Sequence, residues 1–243
     1  MKRIKLIVKT KSKKYPIIVG ENIIKKISNI IKSNQINFEN CIIIVDKKVP
    51  KKKISDLKNN ILCKKKIIHF FNSNEKNKNQ ENVDLIQNIL FKNRFNRDDC
   101  LVAFGGGITG DVVGYCASTF KRGIKFINIP TTLLAQVDAS VGGKTAINSS
   151  YGKNLIGTFY QPDFVLSDIS MFKSLPRREI VSGYGEILKH SLILDRNFFF
   201  WLLKNGNEIM KQSKKKWLFE CEEKKSLTNE NSFLVKISNL KKK

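Results

Sequence analysis

Four short segments of this chain set polar residues where an ordinary core would not keep them. The first is GGGITGD at residues 105–111, directly after an apolar run at 101–104. Adjacent glycines lack Cβ atoms, so backbone N–H groups can approach a phosphate closely, and a following helix points its positive end there. The spacing is not G-x-G-x-x-G, so the usual dinucleotide fingerprint does not apply, and a tight turn alone would also explain the glycines. The second segment, PTTLLAQVDASVGGKTAIN at 130–148, sets Thr131, Thr132, Asp138 and Lys144 among apolar or small residues. A buried Asp or Lys is costly unless paired or functional, and an Asp138–Lys144 ion pair is the plain alternative. The third, GKNLIGTFYQP at 152–162, adds Lys153 beside Asn154. The fourth, GYGEILKH at 183–190, opens a helix on which Glu186 shares a face with Lys189 and with His190. Glu186 is a candidate metal ligand; a carboxylate near a helix start also simply complements the dipole.

These residues need elements to hold them. Residues 4–8 and 15–19 alternate like strands, and 22–31 has helical periodicity. CIIIVD at 41–46 is a nearly continuous apolar run, as expected for a buried parallel strand, and 67–71 and 101–104 read similarly. Residues 72–80 are polar and loop-like. Residues 83–95 form an amphipathic helix with Leu85, Ile86, Ile89 and Leu90 on one face. This βαβα rhythm predicts an α/β fold with a parallel sheet. After Pro176 the text becomes helical, with candidate helices at 178–194 and 197–212 and a lysine-rich one from about residue 214.

The chain has 243 residues, enough for a substantial core, and a formal net charge of +24. That charge suggests nucleic acid, but residues 101–176 are almost neutral. The flanking lysines are scattered as runs at 51–53, 64–66 and 214–216, without the interleaved aromatics of a base-stacking platform. A drift toward Lys, Ile and Asn explains them, and no specific nucleic-acid partner is expected. No run reaches the ~18 apolar residues of a membrane-spanning helix, and the N-terminus reads as a strand, not a signal peptide. Five cysteines (41, 63, 100, 116 and 221) contain no C-x-x-C pair, which suits a reducing cytoplasm without structural disulfides. The only two histidines are His69 and His190.

Taken together and in this order, GGGITGDVVGY, the Lys-Arg-Gly at 121–123, IPTTLLAQVDASVGGKTAIN, GKNLIGTFYQP and GEILKHSLILD resemble 3-dehydroquinate synthase, a family of sugar-phosphate cyclases. The resemblance runs from about Tyr15 onward and is strongest over 101–195. It implies a Rossmann-like NAD-binding α/β domain at 1–176 followed by the start of a helical metal- and substrate-binding domain at 177–243. The implied reaction converts 3-deoxy-D-arabino-heptulosonate 7-phosphate to 3-dehydroquinate plus phosphate, a carbon–oxygen lyase step of aromatic amino acid biosynthesis. NAD oxidises a ring hydroxyl, phosphate leaves, the ketone is reduced again, and an aldol step closes the carbocycle. A zinc or cobalt ion would lower the pKa of the reacting hydroxyl.

Residue by residue, the family's pyrophosphate loop falls on Gly107, Ile108, Thr109, Gly110 and Asp111, and its nicotinamide-side threonines on Thr131 and Thr132. Lys144, Lys153 and the segment Met171, Phe172, Lys173, Ser174 match further NAD contacts. The adenosine-side motif Asp-Gly-Glu-x-x-Lys falls on Ser73, Asn74, Glu75, Lys76, Asn77 and Lys78, where only Glu75 and Lys78 are kept. Arg122, Asp138, Lys144, Lys153, Asn154 and Lys189 match substrate-holding positions, which suits a phosphorylated sugar acid. Glu186 matches the metal carboxylate; His190 matches a variable position and reads as structural. The family's other metal ligands are histidines in a segment that this chain does not contain. The chain is therefore expected to be C-terminally truncated, its activity lost or completed by a second polypeptide, alongside a homodimer. The alternatives are an NAD-binding protein without cyclase activity, a sister cyclase or polyol dehydrogenase, and a basic nucleic-acid-binding protein.

Overall fold

Strands β3 (Asn40–Asp46) and β5 (Cys100–Gly105) are the centre around which the rest is laid. In the computed structural model, which describes residues 3–210, alternate residues of β3 enter opposite cores. Cys41, Ile43 and Val45 pack on one face of the sheet, and Ile42 and Ile44 on the other. Both faces are covered, so the strand reads as an unbroken apolar run and not as an alternation. The sheet adds β1 (Ile4–Lys9), β2 (Lys14–Gly20), β4 (Lys65–Phe71), β6 (Lys125–Pro130) and, late in the chain, a strand at Phe164–Asp168. Between β6 and that last strand lies a separate antiparallel hairpin, β7 (Lys144–Ser149) with β8 (Gly152–Phe159), which makes Phe164–Asp168 β9. The order is β1-β2-β9-β6-β5-β3-β4, parallel throughout except for the β1–β2 pair. The α/β expectation is met.

Helices α1 (Ile27–Ser33) and α2 (Lys51–Asn60) cover one face through Ile27, Ile30 and Leu57. On the other face, α3 (Gln80–Lys92) and α4 (Gly107–Thr119) bury Val83, Ile86, Val112 and Cys116. A third core forms where α5 (Arg177–Leu194) and α6 (Arg196–Met210) pack Ile180, Ile187, Phe198 and Leu202 against Ile17 and Val165. No helix among the described residues is long and apolar enough to cross a membrane.

Two local expectations need correction, and one helix was not expected. The α3 face is set by Val83, Ile86 and Leu90, while Leu85 is 43% exposed: the helix is turned so that the i, i+3, i+7 set faces inward. The lysine run at 51–53 is the first turn of α2, a helix that buries only Leu57 and so shows no clear apolar stripe. The loop at 72–80 contains a short 3₁₀ turn at Glu75–Asn77. The lysine-rich helix expected from residue 214 lies outside the described residues.

Helix α5 docks through a glycine. A Cβ on Gly183 would lie 2.5 Å from Leu133 Cγ and 2.7 Å from the Leu134 backbone nitrogen, whereas one on Gly185 would meet nothing within 4 Å. Gly183→Ala is expected to destabilise the fold by about 1–3 kcal/mol through overpacking. Gly185→Ala, on the same helix, is expected to be neutral or to stabilise by up to ~1 kcal/mol, because alanine is the better helix former. Chemical denaturation of the two variants side by side checks the pair.

Candidate cofactor and metal site

Strand β5 ends at Gly105, where a side chain would overlap Thr109 and come within 2.9 Å of the Asp46 Cβ. Only glycine lets the chain turn there into α4. Gly106 takes the position before the helix and offers no side-chain cap. The first-turn amides of α4, which have no acceptor within the helix, are therefore left to whatever lies above them. The Thr131 N–H donates to the Gly105 carbonyl at 2.9 Å and brings the end of β6 alongside. The result is a cleft of ≈ 570 Å³ at the carboxyl edge of the sheet. Gly106, Gly107, Ile108, Thr131 and Thr132 line its floor, with Asp46, Ser73 and Glu75 on one wall and Met171, Ser174 and Glu179 on another.

A polar network ties this floor to the 73–78 turn and to the β7–β8 hairpin. Thr109, fully buried, donates to Ser73 Oγ at 3.1 Å. Lys78 is 5% exposed, and its ammonium lies 2.6 Å from Asp111 and donates to Asn154 Oδ1. Its carbonyl accepts from the Asn148 N–H at 2.7 Å. Glu75 accepts from the Asn148 amide at 2.9 Å and lies 3.8 Å from the Lys153 ammonium. Asn154 adopts φ +59°, a left-handed conformation that asparagine tolerates. Asn74 caps the short turn by accepting from the Asn77 N–H. Gly110 sits on α4 with its Cα facing Asn128, 3.3 Å from where a side chain would reach.

A second cleft of ≈ 500 Å³ is lined by Asp111, Asp138, Ala139, Lys144 and Asn154. A lining residue of each cleft is a neighbour of one from the other: a Cβ added to Gly107 would be 3.3 Å from the Ala139 Cβ. Asp138 stands on a π-helical turn, Ala135–Ala139, a wide turn that often marks functional positions. Facing it on α5 are Glu186 and His190, and one ligand atom of each of the three lies within 4.8 Å of the others. His190 Nε2 is 2.9 Å from Glu186 Oε1 and 3.7 Å from Asp138 Oδ1, and Lys189 pairs with the same Glu186 oxygen. Two carboxylates and an imidazole at this mutual spacing fit a divalent cation, whose ligand atoms sit ~2.0–2.2 Å from the metal.

The remaining expected residues lie elsewhere. Phe172 packs into the apolar core beneath α5, Lys173 sits 3.4 Å from Glu21, and Lys76 and Asn77 line neither cleft. Arg122 is exposed, with φ +65°, at the far end of α4, which by its 13 residues separates it from the glycine turn by about 20 Å. The structure does not bring Arg122 to either cleft.

Sequence reasoning missed Asp46 and Glu179 as residues lining the first cleft, and it read His190, which meets Asp138 and Glu186 here, as structural. Asp46 carries the clearest signal, an acidic residue closing the apolar CIIIVD run. Burial raises its carboxyl pKa, against the Lys48 N–H that it accepts and the Lys48 charge. His190 is four residues beyond Glu186, the spacing of one helix face.

Known proteins resemble this chain in sequence and in fold. Residues 68–182 match the family described as 3-dehydroquinate synthase N-terminal. The 3-dehydroquinate synthase of Pelagibacter ubique is 56% identical over 207 residues, covering 85% of this chain and 56% of that protein. That of Buchnera aphidicola subsp. Cinara cedri is 42% identical over 210 residues, covering 84% of this chain and 56% of that protein. The chain thus spans about 56% of the length of these curated relatives. Among solved structures, 2-deoxy-scyllo-inosose synthase complexed with carbaglucose-6-phosphate, NAD+ and Co2+ aligns with a TM-score of 0.71 at 29% identity, over 78% of this chain and 51% of that one. ValA, a 2-epi-5-epi-valiolone synthase from Streptomyces hygroscopicus, aligns at 0.77 and 24% identity over 95% of this chain and 61% of that one, a likeness of fold.

The Lys78–Asp111 pair tests the network directly. Asp111→Asn leaves a buried ammonium short of its counter-charge and is expected to cost about 2–4 kcal/mol of stability. The double variant Lys78→Met, Asp111→Leu removes both charges and is expected to recover most of that loss. Urea melts of the single and double variants measure the difference.

Proposed function

We propose that the chain belongs to the 3-dehydroquinate synthase family, whose N-terminal model matches residues 68–182, and that it carries the NAD- and substrate-binding part of such a synthase. The reaction in this reading converts 3-deoxy-D-arabino-heptulosonate 7-phosphate to 3-dehydroquinate and phosphate, in the cytoplasm. The observation that carries it is the contact of Gly107, on the floor of the first cleft, with Ala139, the neighbour of Asp138 in the candidate cation cluster. The NAD+ and Co2+ in the 2-deoxy-scyllo-inosose synthase structure support the same pairing of cofactors.

The floor of the first cleft fits the cofactor. Its uncapped α4 amides, Gly107 to Thr109, suit a pyrophosphate, and the missing Cβ atoms of Gly106 and Gly107 leave room for it. Asp46, Thr131 and Thr132, which line the same cleft, would hold the ribose and nicotinamide parts of the cofactor. NAD there would supply a reversible acceptor for the substrate's hydride. Asp138, Glu186 and His190 would hold the divalent cation, which would supply a Lewis acid that makes a substrate hydroxyl easier to deprotonate. Lys144, Lys153, Asn154 and Lys189 face a ligand carrying both carboxylate and phosphate, and their ammonium groups and amide fix its orientation.

Titration of the folded chain with NAD and with cobalt is the test. Binding of both is expected, with cobalt binding weakened at least ~10-fold in Glu186→Gln. A folded chain that binds neither NAD nor cobalt overturns the reading. NAD affinity also carries a pH signature. Protonation removes the Asp46 acceptor, and because its pKa is raised, affinity is expected to fall on acidification earlier than for an ordinary aspartate. Asp46→Asn should bind more weakly and lose that dependence, as read by NAD titrations across the acidic range.

A further inference from the structure

Away from both clefts, at the amino edge of the sheet, two cysteines sit in contact. Cys41 begins β3 and is fully buried; Cys63 lies in the connection between α2 and β4 and is half-buried. Their sulfurs are 3.5 Å apart and share a hydrogen bond. Nothing in the proposed reaction uses either of them. We propose that Cys41 and Cys63 form a thiol–disulfide site, in which Cys63 takes up a small disulfide such as oxidised glutathione and Cys41 then closes an intramolecular disulfide on it.

The division of roles follows from position. Cys63 is the member that solvent reaches, and Lys64, Lys65 and Lys66 follow it in sequence, so an anionic disulfide is drawn to it. The hydrogen bond from Cys41 and the Lys66 charge lower the Cys63 pKa to about 7, which makes a reactive thiolate available near neutrality. The same pairing and burial raise the pKa of Cys41. Cys100 and Cys116 are fully buried, and burial pushes both thiols up, so neither competes for the reagent. From a 3.5 Å contact, a bond of ~2.05 Å needs a shift of about 1.5 Å, which the four-residue connection between Asn60 and Lys65 can supply.

The chemistry balances in two exchanges. The Cys63 thiolate attacks one sulfur of the small disulfide, which splits into a mixed disulfide on Cys63 and one free thiolate. Cys41 gives up its proton, attacks the Cys63 sulfur and expels the second small thiolate. One small disulfide is reduced to two thiols, and two protein thiols are oxidised to one disulfide.

The test is oxidised glutathione added to the full chain in a Cys221→Ser background, followed by intact mass and peptide mapping. The expected product is lighter by about 2 Da, joins the peptides holding Cys41 and Cys63, and reverts with dithiothreitol. Cys63→Ser should give no such product. Cys41→Ala, or Cys41→Ser if that variant folds better, should stop at a glutathione adduct on Cys63. A wild-type chain that stops at the adduct, a bridge to any other cysteine, or a Cys63 no more reactive than Cys100 overturns the proposal.

Discussion

At the carboxyl edge of β5 the backbone has to pass through a gap narrower than any side chain. Asp46 and Thr109 crowd Gly105, Thr132 crowds Gly106 and Ala139 crowds Gly107. Three neighbouring positions without Cβ atoms let β3, β6, α4 and the π-helical turn converge on one point, and both clefts are consequences of that convergence. The uncapped start of α4 faces one of them, and Asp138 reaches the other from the turn behind it. The apolar cores on the two faces of the sheet hold the elements, but this gap decides where their ends meet.

The 73–78 turn and the β7–β8 hairpin are bound to that point differently. They contribute little to the main cores and are held by polar links: Thr109 to Ser73, Lys78 to Asp111 and Asn154, Asn148 to Glu75. The hairpin strand β8 is exposed along most of its length. A rigid floor and a polar, outlying wall is a familiar division of labour, since segments that rest on few apolar contacts open at lower free energy than the core does. The residues proposed to hold substrate, Lys153 and Asn154, belong to the outlying part.

How much of this was readable depends on how strongly burial shapes the text. β3 and β5 are plain because both faces are dry, and Glu186, Lys189 and His190 are plain as a set because helix spacing aligns them. α2 was hidden because Leu57 is its only buried residue, and α3 was placed but rotated, since Leu85 and Val83 are equally apolar in sequence. The meeting of Asp138 with Glu186 and His190 was not legible at all. It depends on α5 resting on Leu133 through Gly183, a contact that no local pattern records. Arg122, which a motif match assigns to the substrate, stands about 20 Å along α4 from the glycine turn, outside both clefts.

Among the described residues the sheet ends on β1 and β4, strands with a neighbour on one side only. Both carry lysines: Lys5 and Lys9 on β1, Lys65 and Lys66 on β4. The lysine excess that says nothing about catalysis thus acts as a colloidal barrier. A second sheet approaching either edge meets like charge before it meets hydrogen-bonding partners, so the compositional drift keeps an open-edged fold from polymerising with itself.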